Sequence, residues 1–291
     1  MARVIYVNGR YASYDEAVVH VEDRGFQFAD GVYEVCEVKS GDLIDERRHI
    51  DRLYRSMREL SMQPPMERGA LGVILRETVR RNRVRDGMVY LQVTRGMARR
   101  DFAFPNPETP ATVVCYARGK SSASGERKAQ RGIKVVTMPD IRWRRPDIKS
   151  VALLPNALAR QQALDQGAEE AWLVDEQGMV TEGASCNAWI VTEGGDVVTR
   201  QANSGILRGI TRTVIVELLA QHGLNLVERS FSVSEARAAK EAFNTSATAL
   251  VMPVVAIDGT PVGEGKPGLL TLKLRGLFHD FAERSGHKLQ Q

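Results

Sequence analysis

Between Gly119 and Gly132 the chain reads GKSSASGERKAQRG, a run of small, polar and charged residues that offers almost nothing to a core. Such composition suits a linker, so the sequence predicts a smaller N-terminal α/β domain over residues 1–118, a linker over 119–131 and a larger C-terminal domain over 132–291. On the N-terminal side, VIYVNG, GVYEVCEV and GDLIDE alternate apolar and polar residues between glycines, which predicts a meander of strands. Ile50, Leu53, Met57 and Leu60 then recur at three and four, the spacing of one helix face, and a second helix is expected from Arg68 to Arg83. VYLQVTR and ATVVCYAR add two strands.

Beyond the linker, IKVVTM reads as a strand and LPNALARQQALDQG as a helix ending at Gly167. AWLVDEQGMVTEG reads as a hairpin turning at Gly178, and CNAWIVT as a strand. The segment Gly209–Gly223 has Thr211 near its start, an apolar body of Val214, Ile215, Leu218 and Leu219, and a closing glycine, so both helix ends are marked. Gly125, Pro139 and Pro146 are placed between elements. The fold class expected is therefore mixed α/β in two domains.

Composition narrows the function. Hydrophobic residues make up 43% of the 291, enough for two modest cores, and no stretch approaches the roughly twenty apolar residues of a membrane span. The N-terminus shows no secretory pattern, so cytoplasm is the expected location. Cys36, Cys115 and Cys186 lack metal or disulfide spacing. The 40 basic and 36 acidic residues are too balanced to imply a nucleic-acid partner. The basic run Arg142–Arg145 reads as a solvated or domain-interface turn.

Nine of the basic residues are lysines, so candidates for a covalent amine are few. Lys149, in PDIKSVALLPN, precedes an apolar run, where desolvation lowers a lysine's pKa and suits it to nucleophilic or proton-shuttling work. A strand-end lysine reaching solvent fits the same local pattern.

RGFQFADGVYEV, HIDRLYRS, QVTRG, DIRWRRPDIKS, LLPNALARQQA, TEGASCNAWIV and GILRGITR follow one another in the order found in one enzyme family. From Val7 to Pro253 the chain resembles the D-amino-acid transaminases among the fold type IV enzymes that use pyridoxal 5′-phosphate (PLP). Their relatives include branched-chain aminotransferases, (R)-selective amine transaminases and aminodeoxychorismate lyase. The resemblance implies a two-domain subunit with PLP between the domains, a homodimer, and small-molecule partners: an amino donor and a keto acid. Lys149 would form the Schiff base and move the substrate α-proton. Glu182 would pair with the pyridine nitrogen and keep the ring an electron sink; locally it is a hairpin-end carboxylate.

By the same resemblance Arg52 matches the phosphate-binding arginine, although helical spacing alone makes it a solvated-face residue. Gly209, Ile210 and Thr211 would aim helix N-terminal amides at the phosphate. Leu207 matches the apolar residue against the cofactor ring, or a core leucine; Tyr33 matches a tyrosine near the cofactor lysine, or one with a structural hydrogen bond. Two positions depart from the pattern. Ala247, between Ser246 and Thr248, stands where relatives carry a phosphate-binding threonine. Phe102 stands where the D-amino-acid enzymes carry the histidine of an Arg-x-His that binds the substrate carboxylate, leaving Arg100 as the matched arginine and Arg99, Arg142, Arg144 and Arg145 as further candidates. An amine transaminase, a lyase and a non-catalytic binding protein on the same fold are the alternatives, and the last would be expected to lack Lys149 or Glu182.

Overall fold

A computed structural model of the chain describes residues 3–285, and the chain divides into two compact units. Among the described residues, the first takes residues 3–122, Ile148–Ala152 and 283–285. It opens with strands β1 (Val4–Val7) and β2 (Arg10–Ser13), the five-residue helix α1 (Arg24–Phe28), and strands β3 (Gly31–Lys39) and β4 (Asp42–Ile44). Helices α2 (Glu46–Glu59) and α3 (Arg68–Arg81) follow, then β5 (Gly87–Thr94) and β6 (Thr112–Gly119). The strands form one antiparallel sheet in the order β4-β3-β5-β6-β1-β2, with Arg284–Ser285 added beside β4.

Strand alternation decides what this sheet offers. Along β3, Val32, Glu34, Cys36 and Val38 are buried while Tyr33, Val35 and Glu37 are less so. Val32, Cys36 and Val38 join Leu53 and Met57 of α2, and Leu71 and Leu75 of α3, in one apolar core. Glu34 is the polar exception on that face. Its neighbour Tyr33 points to the other face, where its ring stacks 5.7 Å from that of Tyr90.

The second unit comprises Ala123–Asp147 and Leu153–Ala282. In chain order it contains α4 (Ser122–Arg131), β7 (Ile133–Pro139), α5 (Leu154–Asp165), β8 (Glu170–Val174), β9 (Val180–Gly183), β10 (Asn187–Val191) and β11 (Val197–Thr199). After these come α6 (Ile210–Gln221), β12 (Leu226–Glu228), α7 (Val233–Arg237), β13 (Glu241–Ser246), β14 (Leu250–Ile257), β15 (Thr260–Pro261) and α8 (Leu269–Phe281). The sheet runs β12-β11-β10-β13-β14-β7-β8-β9, with β15 beside β14. The β14–β7, β7–β8 and β11–β12 pairs are parallel. A parallel strand inside a mixed sheet is covered on both faces, and β8, β10 and β14 are correspondingly buried almost throughout.

Three local differences from the sequence reading have physical causes. The polar run after Gly119 folds largely as helix α4: Ala129 is buried, and Arg275 of α8 grips Glu126 at 2.8 Å, so a tertiary contact overrides the linker-like composition. Pro139 is the last residue of β7 rather than a loop residue, a strand end being where a missing N–H costs little. Helix α1, too short to show a periodicity, is fixed by the Asp23 side chain accepting the Gly25 amide at 2.8 Å.

Candidate functional site

In the first unit the sequence candidates Tyr33, Arg52 and Lys149 gather around β3. The strand pairs with β5 along Gly31–Val38 but with β4 only at Val38 and Lys39, which leaves the amides and carbonyls near Gly31 without a strand on that side. The segment Ile148–Val151 fills the place. The Tyr33 amide donates to the Lys149 carbonyl at 3.0 Å, and the Val151 amide to the Gly31 carbonyl at 3.0 Å. Ile148 is buried in the core, and the Ser56 hydroxyl of α2 accepts the Lys149 amide at 3.3 Å. Lys149 is therefore held by its backbone on both sides, and its Nζ lies 4.2 Å from the centre of the Tyr33 ring.

One face of α2 carries His49, Arg52 and Ser56. The Arg52 side chain is only 9% exposed rather than solvated, and its fork meets the Glu34 carboxylate at 2.8 Å from both Nε and Nη2. The His49 Nδ1 lies 2.7 Å from the same carboxylate. Burial pushes the Glu34 carboxyl up, but Arg52 and His49 outweigh it and bring it down to about 2. Burial holds His49 below its usual value, so a neutral imidazole donating from Nδ1 fits the pair. Glu34 thus fixes the plane of the Arg52 guanidinium. Sequence reading passed over Glu34 and His49, although both lie in fragments that carried the resemblance.

Arg100 and Phe102 stand in the β5–β6 connection. Both are exposed, Phe102 at 81%. The Arg100 guanidinium lies 5.1 Å from the Phe28 ring centre and 5.9 Å from that of Phe102, and the two rings are 5.6 Å apart.

In the second unit the sequence candidates converge on Glu182 of β9, a buried carboxylate. Its Oε2 accepts Asn187 Nδ2 at 2.9 Å, and its Oε1 accepts the Leu207 amide at 3.2 Å as well as Arg142 Nη1. Asn187 reaches back from the start of β10, and its Nδ2 also donates to the Leu207 carbonyl at 2.8 Å. Gly209 makes room for it: a Cβ there would fall 2.2 Å from the Asn187 Oδ1. Gly209 is also the N-cap of α6, with Ile210 and Thr211 opening the helix and no side chain capping it.

Arg142 corrects the sequence reading. Its side chain is only 7% exposed, so it is neither a solvated turn residue nor a ready substrate contact. It donates to Asp140 from Nε at 2.9 Å and from Nη2 at 2.7 Å as well as to Glu182. The Thr181 hydroxyl adds a bond to Asp140 at 2.8 Å. Burial pushes the Glu182 carboxyl above its usual range with Arg142 opposing it, whereas at Asp140 the Arg142 fork outweighs burial and the carboxyl is lowered. Burial also works against the Arg142 charge, yet its two acids raise it further. Of the remaining candidates, Ser246 ends β13 and Ala247 lies in the turn to β14, where the Ser246 hydroxyl accepts the Ala249 amide at 3.2 Å.

Chemically the second unit presents a desolvated carboxylate and an uncapped helix N-terminus joined by the 207–209 loop. Three donors on a carboxylate with about four acceptor directions leave one for a cationic N–H. Helix N-terminal amides suit an anion.

Residues 31–257 match the family Amino-transferase class IV. The chain is 40% identical over 268 residues to the D-alanine aminotransferase of Bacillus licheniformis, covering 92% of this chain and 93% of that protein. It is 38% identical over 280 residues to the D-alanine aminotransferase of Staphylococcus aureus strain MSSA476, covering 96% and 98%. Among solved structures, the T.th. branched-chain amino acid aminotransferase with pyridoxamine 5′-phosphate is similar at a TM-score of 0.87 and 27% identity, covering 96% of this chain and 94% of that one.

Replacing Arg142 with Met leaves the buried Glu182 and the half-buried Asp140 without their cation, a change that typically costs about 3–5 kcal/mol. Both carboxyls are then raised above their unfolded values, so the folded protein binds more protons than the unfolded one, and stability falls as pH rises through the carboxylate range. Urea unfolding of Arg142→Met should show that loss near neutral pH and a smaller deficit at pH 5. A deficit independent of pH would remove Arg142 from its charge-balancing role.

Proposed function

Because the chain belongs to the class IV aminotransferases, we propose that it moves an amino group from a D-amino acid, D-alanine foremost, to a 2-keto acid with PLP as cofactor. The observation that carries the substrate class is the 40% identity, across 92% of this chain, to an enzyme named D-alanine aminotransferase. The pyridoxamine 5′-phosphate named with the T.th. branched-chain enzyme supports the cofactor. No helix among the described residues is long and apolar enough to cross a membrane; a homodimer in the cytoplasm completes the reading.

The residues fit that cofactor. A ring nitrogen that carries a proton suits the remaining acceptor direction of Glu182, whose other lone pairs are taken by Arg142, Asn187 and the Leu207 amide. A phosphate suits the uncapped start of α6 at Gly209, Ile210 and Thr211, with Arg52 as cationic partner in an orientation set by Glu34. Ser246 and the backbone at Ala247 complete the phosphate set in this reading. PLP supplies an electron sink for the charge that develops at the substrate α-carbon.

The protein's own part is proton and charge management. Lys149 is the covalent anchor, and its freed amine takes the proton from the substrate α-carbon and returns one during transfer. The Tyr33 ring against its Nζ, and the backbone bonds to β3, keep that amine in place. Glu182 would hold the proton on the pyridine nitrogen, and Arg142 opposes the push that burial gives its carboxyl toward the neutral form. Leu207 would line the ring's place, and its amide ties the loop to Glu182. Arg100 binds the substrate carboxylate, with Phe102 beside it in place of an imidazole.

The purified enzyme is expected to convert D-alanine to pyruvate continuously with 2-oxoglutarate, to stop at a single turnover without a keto acid, and to leave L-alanine unreacted. Pyruvate release that needs no acceptor would indicate a lyase. Preference for an amine without a carboxylate would indicate an amine transaminase.

Arg100→Ala removes a charge-assisted contact worth about 2 kcal/mol or more, so kcat/KM for D-alanine should fall by about 30-fold or more with PLP binding unchanged. An unchanged kcat/KM would exclude Arg100 as the carboxylate anchor and turn attention to its neighbour Arg99 and to Arg144.

A further inference from the structure

Arg100 has to hold a direction while standing on an exposed connection. Among the described residues its recorded partners are the Phe28 and Phe102 rings and no carboxylate. What fixes the connection lies beneath it, at Asp30, the residue that precedes β3. The Asp30 side chain is only 10% exposed, and its Oδ2 accepts both Arg24 Nε and Arg95 Nε, each at 2.8 Å. Its backbone joins the same knot, since the Asp30 carbonyl accepts the Arg95 amide at 3.0 Å and its amide donates to the Arg24 carbonyl at 3.3 Å.

Each arginine passes the constraint on. Arg24, buried in α1, donates from Nη1 to the Asp101 carbonyl at 2.7 Å and to the Ala103 carbonyl at 3.3 Å. These carbonyls flank Phe102 and begin one residue after Arg100. Arg95 donates to the Leu60 carbonyl at 2.7 Å and the Ser61 carbonyl at 3.0 Å, at the end of the helix that carries Arg52. The Arg95 guanidinium also covers the Phe104 ring at 3.6 Å, and that of Arg24 lies 4.7 Å from the Phe28 ring against which Arg100 rests.

Helix α1 cannot drift from this arrangement. The Asp23 carboxylate bonds the Thr94 hydroxyl at 2.9 Å while capping α1, and a Cβ at Gly25 would fall 2.3 Å from Thr94 Cγ2. The network gathers two guanidinium groups on one carboxylate. Without that charge the two cations would repel at close range in a site that water reaches poorly.

We propose that Asp30 is a positioning residue for substrate recognition: by clamping Arg24 and Arg95 it fixes the 101–103 backbone and thereby aims Arg100 at the substrate carboxylate. The proposal rests on the reading of Arg100 as the carboxylate anchor. It assigns a specificity role to a residue that touches neither substrate nor cofactor.

A double-mutant cycle on the PLP-loaded enzyme separates this role from a structural one. The measured quantity is kcat/KM for D-alanine in wild type, Asp30→Asn, Arg100→Ala and the double variant, together with hydrogen exchange of the peptide spanning residues 97–104. Asp30→Asn should lower kcat/KM by about tenfold, mainly through KM, and speed exchange in that peptide while PLP absorbance stays unchanged. Added to Arg100→Ala it should change kcat/KM by less than about twofold, and Asp30→Glu should recover most of the loss. If Asp30→Asn folds poorly, Arg24→Gln, which keeps the Asp30–Arg95 pair while removing the Arg24–Asp30 bond and releasing the two carbonyls, should give the same pattern. An equal loss in the Arg100→Ala background would make Asp30 merely structural and overturn the proposal. A harmless Arg100→Ala would overturn the carboxylate reading itself, and the proposal with it.

Discussion

The account depends on a short stretch of backbone pairing. On the side away from β5, strand β3 lacks a neighbouring strand along its first residues, and the segment carrying Lys149 supplies the missing hydrogen bonds through Tyr33 and Gly31. In the role proposed for Lys149, the amine has to be held to within fractions of an ångström, and a side chain as flexible as lysine achieves this only if its backbone is fixed. Ile148 in the core and the Ser56 hydroxyl add the remaining restraints. Because successive residues of a strand face opposite ways, the same short run of β3 sets Tyr33 beside Lys149 and Glu34 beside Arg52.

Buried carboxylates do the rest of the positioning, and each follows one pattern. Glu34 collects Arg52 and His49, Glu182 collects Arg142 and Asn187, and Asp30 collects Arg24 and Arg95. A buried ion pair contributes little net stability, because desolvation offsets most of its attraction. Its value here is geometric. A planar guanidinium held by two bonds has a defined direction, and the carboxylate that holds it is oriented in turn. Glu182 shows the balance most clearly: burial alone pushes it toward the neutral form, and Arg142 opposes that push.

Much of this was legible in the sequence wherever a side chain's role is set by local pattern. The helix face of Leu53 and Met57, the hairpin turning at Gly178 with φ of 76°, and the N-terminus of α6 at Gly209 all follow from spacing and turn chemistry. The family fragments single out Lys149, Glu182 and Arg52 as candidates. Arg142 was misread because its decisive partner, Glu182, lies 40 residues away, and in a basic run it looked solvated. Helix α4 was read as a linker for a related reason, since Arg275 reaches Glu126 across 149 residues. Asp30, Arg24 and Arg95 form one knot from three elements, and no one-dimensional pattern brings them together.

The central claim is that Lys149, held on the edge of β3, is the residue that anchors the cofactor. Borohydride reduction of the PLP-loaded protein, followed by proteolysis and mass mapping of the pyridoxyl-labelled peptide, tests it directly. The account predicts the label on Lys149 within the peptide that contains Ile148 and Ser150, and no label in Lys149→Ala. A label on another lysine, such as Lys134 on β7, would contradict it.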